Sequence, residues 1–272
     1  MRTALVYGFN YVLARGNILS HRFIPIHGIN DDNFWGRVAV ECDRADTEWA
    51  LEVLWKVLFL QRRLPRPVTR ETFHFFGEDP PLFDGVSAWF DYIDTVSHEL
   101  GLSLEHYLVS TGIQEIIEGA SISERFHEIF ASTYRYDDGH AVWPNRAIDH
   151  RSKRKFLRRI ATGYYERGVP GPYRQSPLYR RKGIPFDRII YFANAEMDGP
   201  SIEFLNQMGG NSIAVYNPKR AALSTVESKL VQQIGEKDVP KIVPASYEHG
   251  SELSHATVAI LENIADSCFR SS

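Results

Sequence analysis

Two hydrophobic patterns alternate along the chain. Short apolar runs of strand length are typical of buried β-strands, and they occupy residues 3–7, 106–109, 188–192, 212–216 and 241–243. Longer stretches with helical spacing lie between them and predict helices near 30–45, 46–62, 83–100, 149–163, 198–208, 219–234 and 251–267. Strands that alternate with helices predict an α/β fold with a doubly wound parallel sheet.

Two features interrupt this alternation. Residues 126–143 read as two strands joined by a hairpin at Asp137-Asp138-Gly139. Residues 20–82 are helical by pattern and are punctuated by prolines toward their end. We therefore expect an α/β core formed by residues 1–19 and 83–272, with an inserted helical cap at 20–82.

The helix predicted at 46–62 is apolar on most of its faces. Glu48, Glu52 and Lys56 form one polar stripe at i,i+4 spacing, and large apolar side chains occupy the remaining positions. The interior of its own domain, a second copy of the chain or a different protein would each cover such a helix. We expect a protein partner or a homo-oligomer formed through the cap.

Composition sets the class of protein and its surroundings. The chain has 272 residues and two cysteines, Cys42 and Cys268, that match no metal-ligand spacing. The N-terminal apolar run is too short for a signal-peptide core, and charged residues interrupt the most apolar stretch. We expect a cytoplasmic protein with free thiols and no membrane span.

Charge is unevenly distributed, because residues 151–188 carry twelve Lys or Arg against two Asp or Glu. Such a segment could bind nucleic acid, another anionic ligand or an acidic partner, and interleaved tyrosines would permit base stacking. A solvated helix face explains the same composition and is the more frequent case. The sequence favours the solvated face and leaves nucleic acid open.

Candidate chemistry lies where predicted strands end, because ligands of doubly wound sheets bind at the carboxyl ends of the strands. A lysine precedes the third of these ends. Lys153 shares a helical face with Phe156, Leu157 and Ile160, so it is expected to point inward. The three strand ends present Gly8 and Asn10, Ser110 and Thr111, and Asn194 and Asp198.

This order of strand ends and lysine resembles the haloacid dehalogenase-like (HAD) superfamily along nearly the whole chain. The likeness is greatest to bacterial HAD family hydrolases with a helical cap between the first two motifs. The stretches that carry it are residues 5–18, 85–90, 105–112, 115–119, 184–198 and 209–218. The resemblance implies a HAD-like core with an inserted cap.

The resemblance also implies that the catalytic carboxylates are missing. Family phosphatases use the first Asp of a DxD motif as nucleophile and the second as general acid and base, and these positions are Gly8 and Asn10 here. The family holds Mg²⁺ with the first of these Asp residues and with an Asp after the third strand, where this chain has Asn194. Asp198 remains as the last carboxylate of that motif. Metal binding is therefore expected to be weak or absent.

The phosphate-binding positions of the family persist as Ser110, Thr111 and Lys153. Two other roles stay open. Ser110 could cap the following helix, and Lys153 could form a structural ion pair with Asp198. We expect a catalytically inactive protein that binds a protein partner and an anionic ligand such as a phosphorylated compound, without a cofactor. The alternative is a residual Mg²⁺-dependent phosphohydrolase that uses Asp198 or another carboxylate.

Overall fold

The computed structural model describes residues 1–63, 68–163 and 182–269, with the backbone alone for residues 268 and 269. These ranges contain seven strands: β1 (Arg2–Tyr7), β2 (Ser103–Ile113), β3 (Glu128–Asp137), β4 (His140–Arg146), β5 (Ile189–Asn194), β6 (Asn211–Tyr216) and β7 (Lys241–Pro244). The α-helices of the described ranges are α1 (Ile24–Ile26), α2 (Asp31–Ala45), α3 (Trp49–Gln61), α4 (Arg70–Gly77), α5 (Val86–Glu99), α6 (Gln114–Ile117), α7 (Lys153–Thr162), α8 (Gly199–Gln207), α9 (Leu223–Ile234) and α10 (Glu252–Phe269).

The sheet confirms the predicted α/β fold class. Its strand order is β4-β3-β2-β1-β5-β6-β7, so the first strand of the chain is central. The pairs β1–β5, β5–β6 and β6–β7 are parallel, and Tyr7 stands opposite Phe192 in the first of them. β3 and β4 form the predicted antiparallel hairpin, with Asp137 opposite His140.

One strand is longer than its sequence pattern predicts. The apolar run ends at Val109, but β2 continues through Ser110 and Gly112 to Ile113. The residues from His106 to Ser110 are buried, although Ser110 is polar. Ser110 and Thr111 therefore lie inside the strand rather than at its end.

The first of two compact units consists of residues 1–7, 84–107 and 150–272. Its core contains the three parallel strand pairs, and β1, β5 and β6 are buried along almost their whole length. A chain of polar contacts crosses this core: Trp89 Nε1 donates to the Tyr7 hydroxyl, which lies 3.1 Å from His106 Nδ1. Asp94 Oδ1 lies 3.0 Å from His106 Nε2, which satisfies the second ring nitrogen.

The second unit consists of residues 8–83 and 108–149. It contains the predicted cap, 20–82, together with residues 8–19 and the β3–β4 hairpin. The predicted boundaries of core and cap stay a prediction. Local signals place the helices of this unit: the Asn30 side chain accepts from the backbone N–H of Asn33 at the start of α2, and Thr69 does the same for Thr72 at α4.

Helix α3 buries part of its polar stripe together with apolar residues. Glu52 is buried and Lys56 is largely buried, and Lys56 lines a cavity of about 480 Å³ with residues of α2. Burial raises the pKa of Glu52, and the opposing charge of Lys56 reduces that shift. The apolar residues Trp49, Leu51, Trp55 and Phe59 of this helix are exposed.

No helix within the described ranges is both long enough and apolar enough to cross a membrane.

Candidate functional site

A buried cluster in the first unit surrounds Asp198. Lys153 Nζ donates to both carboxylate oxygens, at 2.7 and 2.8 Å. The Tyr191 hydroxyl and the backbone N–H of Asn194 each donate to Oδ2 at 2.9 Å. His150 Nδ1 lies 2.7 Å from Oδ1. The carboxylate therefore has five polar contacts, all from the protein itself.

The charges in this cluster favour an ionised Asp198. Its side chain is fully buried, which opposes ionisation, but the charge of Lys153 and the hydrogen bond from His150 outweigh burial. Together they hold the pKa of the Asp198 carboxyl well below its usual value. Burial and the neighbouring carboxylate raise the pKa of the Tyr191 hydroxyl, which stays a donor.

Two helices position this cluster. Lys153 begins α7 and shares its buried face with Phe156, Leu157 and Ile160, which confirms the predicted inward orientation. Asp198 immediately precedes α8, and its backbone oxygen accepts from the N–H groups of Ser201 and Ile202. The ion pair that the sequence left open for Lys153 is present.

Sequence reasoning missed His150 and Tyr191. His150 precedes Lys153 by three residues, a spacing that brings two side chains together on one turn, so this signal was available. Tyr191 lies in a continuous apolar strand, and nothing in its neighbours distinguishes it from a core aromatic residue. Its role depends on Asp198 at the start of α8, whose side chain accepts a hydrogen bond from the Tyr191 hydroxyl.

The residues of this cluster do not fit Mg²⁺. A magnesium ion needs anionic oxygens with free lone pairs, whereas both Asp198 oxygens accept from nitrogen and hydroxyl donors. Asn194 Oδ1 accepts from the backbone N–H of Glu196 at 2.8 Å, so its carbonyl is also engaged. No group of three metal-binding side chains of His, Cys, Asp or Glu occurs among the residues for which the structure gives positions.

A second group of predicted residues lies in the second unit, in a tight turn that follows Gly8. The Phe9 carbonyl accepts from the N–H groups of residues 12, 13 and 14, and Tyr11 has a positive φ of 61°. Asn10 Oδ1 accepts from the N–H of Ile18 at 3.0 Å, which fixes the amide. Neither Gly8 nor Asn10 provides the carboxylate that a phosphoryl acceptor needs.

Ser110 lies near this turn within the same unit. Its buried hydroxyl accepts from the backbone N–H of Gly112 at 3.0 Å. A Cβ placed on Gly112 would lie 3.3 Å from Ser110 Oγ and 3.6 Å from Asn10 Nδ2, so these two polar groups border the same small space. The Thr111 carbonyl accepts from Ser132 Oγ at 3.4 Å.

The capping role considered for Ser110 is wrong. Ile113 occupies the position before α6, and no side chain caps this helix. The physical reason is the length of β2, which carries the chain three residues past Ser110 before α6 begins. The Ser110 hydroxyl instead satisfies the backbone within the strand.

The basic segment is described only in part, because Arg174, Arg180, Arg181 and the tyrosines at 164, 165, 173 and 179 lie outside the described residues. On α7 and just before it, Arg151, Arg154, Lys155 and Arg158 are exposed. These four side chains form the solvated face that the sequence favours. The Cys42 thiol is free, and the Cys268 side chain lies outside the described part.

No family model matches the sequence, and no curated protein is significantly similar to it. Solved structures do match. A HAD family hydrolase from Salmonella enterica serovar Typhi matches with a TM-score of 0.54 at 10% identity, over 87% of this chain and 72% of that one. A phosphoserine phosphatase in its apo form matches with a TM-score of 0.53 at 12% identity, over 91% and 96% of the two chains. The chain has the HAD-like fold.

A third HAD-like match is similar in extent. It is a structure described as a probable phosphoserine phosphatase from Vibrio cholerae, with a TM-score of 0.55 at 10% identity, over 98% of this chain and 67% of that one. Sequence identities this low support a shared fold alone. The chemistry has to be judged from the residues that this chain contains. In this HAD-like chain, Gly8 and Asn10 follow β1, and Asn194 ends β5.

Proposed function

We propose that this HAD-fold protein acts by binding, without phosphoryl transfer to an aspartate. The observation that supports the proposal is the hydrogen bonding of the Asp198 carboxylate. Its oxygens already accept hydrogen bonds from Lys153, Tyr191 and the Asn194 backbone. Gly8 has no side chain to attack phosphorus, and the Asn10 amide exchanges no proton near neutral pH. No cofactor is needed for this function, and we place the protein in the cytoplasm.

The proposed ligand is an anion of the phosphate or phosphomonoester class. Ser110, Thr111 and the Asn10 amide supply neutral donors within the second unit. We further propose that a protein partner binds the form of the protein that holds the ligand. The exposed α7 cations support nucleic acid as a second anionic ligand.

A Mg²⁺-dependent phosphohydrolase is the alternative. The structural neighbours support this alternative better than they support binding without turnover, because they are phosphatases and HAD hydrolases by name. Such an enzyme would need a nucleophile other than residue 8, and it would have to release Asp198 from Lys153 before a metal could bind. The two proposals therefore differ in turnover.

The decisive experiment measures Mg²⁺-dependent hydrolysis of a phosphomonoester panel by the natural protein and by Gly8→Asp/Asn10→Asp/Asn194→Asp. We expect no turnover by the natural protein. Turnover that Asp198→Asn abolishes would overturn the proposal in favour of the phosphohydrolase. Activity in the triple variant alone would show that the three carboxylates are what the natural chain lacks for turnover.

A separate measurement, of thermal stability, tests ligand binding. We expect inorganic phosphate to raise the melting temperature of the natural protein, and Ser110→Ala to remove that protection. Ser123→Ala is the matched control, because the Ser123 hydroxyl donates to the Glu118 carbonyl elsewhere in the same unit. Equal protection of the natural protein and Ser110→Ala would overturn this part of the proposal.

A further inference from the structure

Helix α3 has a second apolar side that is exposed to solvent. Leu51 is 40% exposed, Trp55 41% and Phe59 38%, although Glu52 on the same helix is 8% exposed. The same helix buries Leu54, Val57 and Leu58, so the exposed side chains form a second apolar face, which a surface helix normally lacks. The exposed side chains follow i,i+4 spacing and so form one continuous stripe along α3.

The stripe extends onto the neighbouring edge strand. Trp143 of β4 is 59% exposed, and its ring lies 6.4 Å from that of Trp55. β4 ends the strand order of the sheet within the described part of the chain, so it is an edge strand there. Arg63 places its guanidinium 4.1 Å from the centre of the Phe59 ring at the far end of the stripe.

The residues of the stripe are arranged symmetrically about Trp55. Leu51 and Phe59 are each four residues from it, and Glu48 and Arg62 are each seven residues from it. Glu48 and Arg62 are exposed and carry opposite charges. One terminal nitrogen of Arg62 donates to the Val142 carbonyl, and the guanidinium has further N–H donors free to face outward.

This symmetry identifies a second copy of the chain as the occupant. When two α3 helices pack antiparallel across a two-fold axis through Trp55, Leu51 meets the partner subunit's Phe59, and Glu48 meets the partner subunit's Arg62. The contact is then apolar in its centre and oppositely charged at both ends. We infer that the α3 stripe, formed by Glu48, Leu51, Trp55, Phe59 and Arg62, is a homodimer interface. The inference is independent of the proposed function.

Sedimentation equilibrium over a range of protein concentrations tests this interface. We expect a monomer–dimer equilibrium, with a dissociation constant that Trp55→Glu raises by at least about 30-fold, since a central aromatic anchor carries much of the binding energy. Leu223→Glu is the matched control, because Leu223 is 45% exposed but belongs to α9. This control is expected to leave the dimer unchanged.

Charge reversal tests the antiparallel register. Glu48→Arg alone and Arg62→Glu alone each place like charges at both ends of the interface, and both are expected to weaken the dimer. Glu48→Arg/Arg62→Glu restores opposite charges and is expected to restore the dimer. Thermal unfolding of each variant separates loss of fold from loss of association.

Three results would overturn the inference. They are a natural protein that stays monomeric at all concentrations, a dimer that tolerates Trp55→Glu, and a folded double charge reversal that associates no better than either single variant. The first would leave a different protein as the occupant of the stripe. The second would place the dimer contact elsewhere, and the third would exclude the antiparallel register.

Discussion

Lys153 donates to both carboxylate oxygens of Asp198, and both side chains are buried. A buried ion pair of this kind is strongly destabilised when one partner is removed, because the other charge stays in a low-dielectric interior. The pair therefore stabilises the first unit only as long as both members are present. The same contacts occupy the oxygens that a metal ion would require.

Replacing Lys153 tests the dependence of the fold on this pair. We expect Lys153→Met to lower the free energy of unfolding by about 3–5 kcal/mol, because it leaves the Asp198 carboxylate without its counter-charge. Urea unfolding measures the change. Lys155→Met is the matched control on the exposed side of α7 and is expected to change stability by less than about 0.5 kcal/mol. Equal effects of the two substitutions would contradict the role of the pair.

Acid sensitivity follows from the lowered pKa of Asp198. The pKa of the Asp198 carboxyl is lower in the folded state than in the unfolded state, where it is about 4. Such a carboxyl stabilises the fold above its unfolded pKa, and this stabilisation is lost as pH falls toward its folded pKa. We expect the stability advantage of the natural protein over Asp198→Asn to be constant from pH 7 to pH 5 and to shrink below about pH 4. An advantage of equal size at pH 3 and pH 7 would exclude this linkage.

Glu115 has the opposite pH dependence. Burial raises the pKa of its carboxyl, although the Tyr134 N–H and Arg70 partly oppose that shift. Its Oε2 atom and the Tyr136 hydroxyl are buried and interact with each other, but neither makes a hydrogen bond of regular geometry among the described residues. A raised carboxyl pKa favours the folded state below the unfolded pKa, and this contribution is lost as pH rises through the folded pKa.

We therefore expect Glu115→Gln to raise the free energy of unfolding at pH 7 by about 1 kcal/mol, because the amide removes a buried charge and can donate to the Tyr136 hydroxyl. The gain is expected to be smaller at pH 4. Thermal unfolding at both pH values measures it, with the exposed Glu124→Gln as control. Destabilisation at pH 7 by Glu115→Gln would show that the ionised carboxylate is required.

Close backbone approach between α4 and α6 predicts a severe steric effect. A Cβ on Gly77 would lie 1.6 Å from the Ile116 carbonyl oxygen, and one on Gly119 would lie 2.0 Å from the His74 carbonyl oxygen. We expect Gly77→Ala to cost about 3 kcal/mol or more in stability, because the backbone has to move. Gly16→Ala, where a Cβ meets open space, is the control for chemical denaturation. Equal stability of both variants would refute the steric argument.

Local patterns in the sequence were sufficient for most elements. The apolar run 3–7 and the helix start at Asn30 were predictable because each depends on neighbours in the chain. Lys153 was predictable as an inward residue because helical spacing shows which residues share a face. The end of β2 was not predictable, since Ser110 and Gly112 are polar or small and remain in the strand through hydrogen bonds that the sequence does not reveal.

The sequence by itself determined the alternating α/β pattern and the absence of a carboxylate at residues 8, 10 and 194, because residue identity and local spacing are properties of the chain alone. The tertiary structure decided that Asp198 is bound by Lys153, His150 and Tyr191, and that α3 turns its apolar stripe to solvent. Periodicity shows which side chains share a face. What covers that face depends on residues far away in sequence, and the folded chain alone brings them together.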